Sequence, residues 1–149
     1  MKTYFKPFLI IIAGFIFSCK QKSLEFIKLD QFTRVDTIKG GSRANLYKED
    51  YFIVNNYKDD LNSERIIDSS MYKSRDKELY KYTEYKIIVY RASEKANIDH
   101  LRENPADFDN GDFDNNKVFV YIWRNGTWSG KYKYKNRQSV EAQEMIRED

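Results

Sequence analysis

An α+β fold, with an antiparallel sheet of four to six strands and one main helix packed on a face, is predicted by three features of this 149-residue chain. Asn125-Gly126 separates two β-prone runs, and Asn-Gly suits the two positive-φ positions of a tight hairpin turn. The runs Ile87–Tyr90 and Val118–Ile122 are apolar at every position, as inner strands are. One stretch, from about Tyr57 to Met71, carries apolar residues at helical spacing.

The elements follow in order. Leu24 to Phe32 mixes apolar and polar residues in a strand-like way, and Gly40-Gly41-Ser42 is a turn. Tyr51-Phe52-Ile53-Val54 is a compact strand. Asn55-Asn56 offers a helix N-cap, and Asp59 and Asp60 suit the positive end of the helix that follows. Tyr57, Leu61, Ile67 and Met71 share one face of it, with Ile66 beside them. Tyr80 to Arg91 returns to strand, with Tyr85, Ile87 and Val89 on one side and Ile88 and Tyr90 on the other. Ser93 caps a short helix running to Leu101, and Asn104-Pro105 closes it. Asp107 to Asn116 is an acidic, Asn-rich loop. Lys117 to Arg124 and Thr127 to Lys135 form the hairpin, and the tail from Gln138 forms a weak helix through Val140, Met145 and Ile146, or frays. Residues 24–137 thus make one domain. The helix between strands, followed by a meander, resembles cystatin-like or nuclear-transport-factor-like cones; that likeness implies architecture and no function.

A two-residue turn pairs Arg124 with Thr127 and Trp123 with Trp128. Strict alternation then puts Phe119, Tyr121, Trp123, Trp128, Tyr132 and Tyr134 on one face. Val118, Val120 and Ile122 share the other with Ser129, Lys131, Lys133 and Lys135. One helix covers one face of such a sheet. The other face is left for the N-terminal segment, a concave pocket or another molecule.

This patterning yields the candidate site residues. The rings of Tyr121, Trp123, Trp128, Tyr132 and Tyr134 could grip a glycan, a lipid or an extended peptide, although rings of this size are more often core. Lys131, Lys133 and Lys135, alternating with Tyr132 and Tyr134, could meet acidic lipid headgroups; a half-buried strand with its lysines in water is the simpler expectation. The loop from Asp107 to Asn116 holds oxygen ligands, but its spacing fails the EF-hand pattern. Asp112 stands where Gly is required, so a solvated turn is expected, with Phe108 and Phe113 available to pin it. His100 is the single His, and its neighbour Asp99 points elsewhere on a helix. One His and one Cys do not make a zinc site, and no spacing selects a carboxylate pair or a phosphate loop. No catalytic set, metal or cofactor is expected.

The N-terminus addresses the chain. Lys2 and Lys6 precede the apolar run Phe8–Phe17, which is about half the roughly 20 residues of a spanning helix. Ile16-Phe17-Ser18-Cys19 resembles the lipobox of bacterial lipoproteins. The resemblance implies that residues 1–18 are removed, that Cys19 is acylated, and that residues 19–23 tether the domain to a membrane. Two or three acyl chains together give durable attachment. Lys20, where many such proteins carry an inner-membrane retention Asp, and the lack of a following acidic cluster imply the periplasmic face of the outer membrane.

Removing Lys2 and Lys6 leaves 24 Lys plus Arg against 23 Asp plus Glu, a net charge of +1. So small a surplus gives no concentrated basic face for nucleic acid. With Cys19 lipidated no thiol remains, and the domain relies on a core rich in the 11 Tyr and 6 Phe that follow residue 18. The function expected is that of a small, non-enzymatic, lipid-anchored envelope protein that binds a protein partner, glycan or lipid. An immunity protein or inhibitor of a toxin or hydrolase is the alternative.

Overall fold

The computed structural model describes residues 22–40, 43–135 and 138–143. Cys19 and the rest of the lipobox lie outside them, as do Gly41-Ser42 of the expected turn and Met145 and Ile146 of the tail. The fold is α+β: one open, mixed sheet with a main helix, α1 (Leu61–Ser74), on one face. Among the described residues, seven strands fill six positions. β3 (Arg43–Asn55), β4 (Glu84–Arg91), β5 (Lys117–Arg124), β6 (Thr127–Lys135) and β7 (Gln138–Gln143) lie side by side in that order. β1 (Glu25–Lys28) and β2 (Arg34–Gly40) share the outer position beside β3.

β1 and β2 amount to one edge strand broken at Leu29–Thr33, where residues 30–32 form a 3-10 turn. The break turns Leu29 fully into the core and stacks Phe32 on Phe108 with ring centroids 4.2 Å apart. β2 then pairs with β3 as far as Gly40 opposite Arg43. This strand, rich in charge and β-branched residues, is absent from the sequence expectation. β3 is likewise much longer than the Tyr51–Val54 run that marks it.

The sheet is not wholly antiparallel, because β3 and β4 are parallel. A parallel neighbour needs a crossover, and α1 supplies it by running back along the sheet. Its N-cap is Asp60, whose side chain accepts the Ser63 N–H at 2.7 Å, and not the expected Asn55-Asn56. Ile67 and Met71 are fully buried as predicted, but Leu61 is 76% exposed and Tyr57 precedes the helix. The remaining inward positions are polar: Ser63 and Glu64. β4 alternates as predicted, with Tyr85, Ile87 and Val89 toward α1 and Ile88 and Tyr90 away from it.

Between β4 and β5 the chain makes an excursion over the second face. α2 (Ile98–Glu103) is capped by Asn97; Ser93 instead accepts the Ala96 N–H within the preceding turn. A 3-10 turn (residues 105–109) and α3 (Gly111–Asp114) replace the expected open loop. Phe108 and Phe113 pin this segment to Tyr51 and Tyr90. The described part of the tail, where a helix through Val140 is one expectation, is β7, paired with β6.

Candidate functional site

The β5–β6 hairpin turns as expected, with Asn125 and Gly126 at φ 49° and 78° and Arg124 opposite Thr127. The facing residues differ. Ile122 pairs with Gly130 while Trp123 pairs with Trp128, so Ser129 is an extra residue, a β-bulge. An inserted residue reverses the alternation beyond it. Tyr132 and Tyr134 therefore join Val120 and Ile122 on the second face, and Lys131 and Lys133 turn toward α1. The single aromatic face expected from sequence is split. Tyr121 and Trp123 are buried under α1, where Trp128 packs edge-on against Trp123 with centroids 5.1 Å apart. A second bulge, at Val118, places that side chain on the α1 face as well.

The expectation of water-facing lysines is overturned at Lys131, which is only 3% exposed. Its ammonium donates to Glu64 Oε1 at 2.5 Å and to both Asp68 oxygens at 3.0 Å. Tyr121 donates its hydroxyl to Asp68 at 2.6 Å. Lys133 reaches Glu64 at 3.3 Å and Asp59 at 2.9 Å. Burial opposes a charge on Glu64, but its bonds to Lys131 and Lys133 outweigh that and hold its pKa below the ordinary carboxylate range. A second network lies at the other end of α1. There Tyr85 donates to the buried Asp50 at 2.7 Å, Thr33 donates to it at 3.1 Å, and Lys48 binds Asp76 at 2.6 Å. Both networks are closed sets of donors and acceptors that fasten α1 and the edge strand to the sheet.

His100 lies 2.8 Å from Asp107, a pairing hidden in the sequence because it bridges α2 and the following turn. The Asn97 and Asn104 side chains bond to the His100 backbone, and Asp107 is the partner of its ring. The carboxylates whose pKa is displaced, Asp59, Asp60, Glu64, Asp76 and Glu84, all move downward. A general acid working near neutrality needs the opposite shift.

The α2–α3 excursion covers only part of the second face, over Ile53 and Tyr90. Beyond it runs a groove of about 390 Å³ with a floor of Ile88, Val120, Ile122, Tyr132 and Tyr134. Glu49, Glu84, Lys86, Lys117 and Arg124 rim it. An adjoining hollow of about 340 Å³ shares Glu49, Ile88 and Lys117 and continues the groove to Tyr51, Phe108 and Asp109. The rim charges are paired among themselves. Lys86 and Arg124 each bind Glu84 at 2.9 Å, and Lys117 binds Asp114 at 2.7 Å while lying over the Tyr134 ring. The stems of these long side chains shelter the aliphatic floor, and the two tyrosines stay half-buried. Of the five candidate ring residues, the structure brings Tyr132 and Tyr134 together here and leaves the other three under α1.

No protein-family model, characterised protein or solved structure matches the chain.

Proposed function

We propose that this chain is a small, non-enzymatic, lipid-anchored envelope protein that holds a protein partner in the groove on its second sheet face. The observation that carries the reading is the groove itself: a sheet face that the described residues cover only in part, with Tyr132 and Tyr134 beside two acids and three bases. Tyr and Arg are enriched where proteins meet, because a ring or guanidinium supplies apolar contact and a hydrogen-bond donor at once. A polypeptide can offer apolar side chains to the floor and charges of both signs to the ion pairs of the rim. Cys19 supplies the anchor, and the periplasmic face of the outer membrane is the proposed address. The groove serves a resident partner, and the same geometry serves an immunity protein whose partner is an incoming toxin.

The test is a photocrosslinking residue at Tyr134 in cells. A discrete adduct with one envelope protein is expected from Tyr134 and not from a control probe at the exposed Lys73 on the far face. Absence of any adduct, or the same adduct from both positions, would remove the groove as the binding site. Fatty-acid labelling that persists in Cys19→Ala would separately remove the anchor.

A further inference from the structure

We infer that the outer face of α1 is a membrane-contact surface, seated on the anionic phospholipid leaflet to which the chain is tethered. Six large apolar residues are exposed among the described residues, and three of them, Leu61, Ile66 and Tyr72, lie on this one helix. They stand among the exposed residues of α1, which include Arg65 and Lys73 and no acid. The acids of the helix, Glu64 and Asp68, point inward and are held by Lys131. Arg65 and Lys73 form no ion pair among the described residues, and Arg75 packs its guanidinium 3.7 Å from the Tyr72 ring centroid. Asp59 and Asp60, just before the helix, are engaged by Lys133 and by the Ser63 N–H. Apolar side chains between unpaired cations, on a face cleared of acids, match the interface of an anionic bilayer.

The length of the tether points to the same occupant. This part rests on the reading of Cys19 as the anchor. Asn56 donates to the Ser23 carbonyl at 2.9 Å, fixing the chain four residues after Cys19. Four extended residues reach about 14 Å. α1 starts five residues after Asn56, so its first turn lies at the tethered end of the domain. With α1 against the lipid, the groove on the opposite sheet face points away from the membrane, toward a partner.

The test uses the full-length protein with one added cysteine, Ser69→Cys on α1 or Asp99→Cys on α2, carrying an environment-sensitive fluorophore. Each is placed in vesicles of phosphatidylglycerol or phosphatidylcholine that contain nitroxide lipid. Mass spectrometry of Cys19 scores the anchor independently. If Cys19 carries no lipid, the chain with Cys19→Ser is added to the same vesicles, so that the probe sits only on the added cysteine and the comparison still decides. A blue shift with quenching at Ser69→Cys in phosphatidylglycerol, weaker in phosphatidylcholine and absent at Asp99→Cys, supports the inference. Each cation at an anionic surface contributes about fivefold, so Arg65→Gln with Lys73→Gln should lower the contact population by on the order of 30-fold. Equal, water-like emission at both positions overturns the inference. So does burial of the Ser69→Cys probe without vesicles, which would assign the face to another protein chain.

Discussion

The Lys131 ammonium sits 2.5 Å from Glu64 Oε1, joining β6 to α1 across 67 residues of sequence in a site where the lysine is 3% exposed. Removing one partner of a buried ion set leaves the others charged without compensation, which costs about 3–5 kcal/mol. Lys131→Met is therefore expected to lower unfolding stability by about that amount at neutral pH, measured by urea titration. Adding Glu64→Gln and Asp68→Asn removes the stranded charges and should recover more than half of the loss. A neutral single variant would show that the network does not fasten the helix.

The same carboxylates set the acid limit of the fold. Burial opposes ionisation of Glu64, Asp76 and Glu84, yet their lysine and arginine partners hold each pKa below its ordinary value, 4.5 for Glu and 3.8 for Asp. A lowered folded pKa means that the unfolded chain binds more protons in acid. The contribution is complete above the ordinary values and is lost as pH falls through them toward the folded ones. The urea midpoint should stay level down to about pH 5 and fall below it. Glu64→Gln should lower the midpoint at neutral pH and shallow the acid fall. An unchanged slope would place the acid-sensitive groups elsewhere.

Ser129 decides which residues meet α1 and which meet the groove. Deleting it joins Trp128 to Gly130 and leaves a regular ladder in which Gly130 still faces Ile122 and Lys131 still faces Tyr121. Lys131 therefore keeps Glu64 and Asp68, and Tyr132 and Tyr134 keep the groove. Cooperative unfolding by circular dichroism is the expected result for the deletion and for Ser129→Gly alike. Loss of cooperativity in the deletion alone would show that the local kink of the extra residue, and not only the register it sets, holds β6 in place.

That bulge also marks how far the sequence reaches. The turn, the partners Arg124–Thr127 and Trp123–Trp128, and the two-sided apolar strands are local patterns, legible in composition and period. The alternation beyond Trp128 is not, because a bulge changes register without altering the pattern: Lys131-Tyr132-Lys133-Tyr134 reads the same in either phase. The parallel pairing of β3 with β4 is hidden for a different reason. It depends on the path α1 takes across the sheet, and the inward side of α1 is only half apolar because Ser63 and Glu64 occupy it. Asp60 was legible as an acid near a helix start, but Asn55-Asn56 carried the stronger capping pattern. The His100–Asp107 pair joins two elements whose boundaries were themselves displaced. The groove follows from these non-local facts, and so only its position on the second face was foreseeable.

Splitting the aromatic residues between two faces separates stability from binding. Trp123 is 3% exposed and packs against Tyr85, Tyr121 and Trp128, so Trp123→Ala is expected to cost about 3–5 kcal/mol of unfolding stability. Tyr134 is half-buried on the groove floor, with Lys117 over its ring, and truncating it should cost about 1 kcal/mol or less. Binding should show the reverse order. Tyr134→Ala removes a ring at the centre of the proposed contact, and loss of an interface ring typically weakens binding by about 2 kcal/mol, roughly 30-fold. Urea titration measures the first quantity, and retention of the crosslinked partner by Tyr132→Ala and Tyr134→Ala measures the second. Equal retention by the natural chain and both tyrosine variants would leave the rings as cover for Val120 and Ile122 and nothing more.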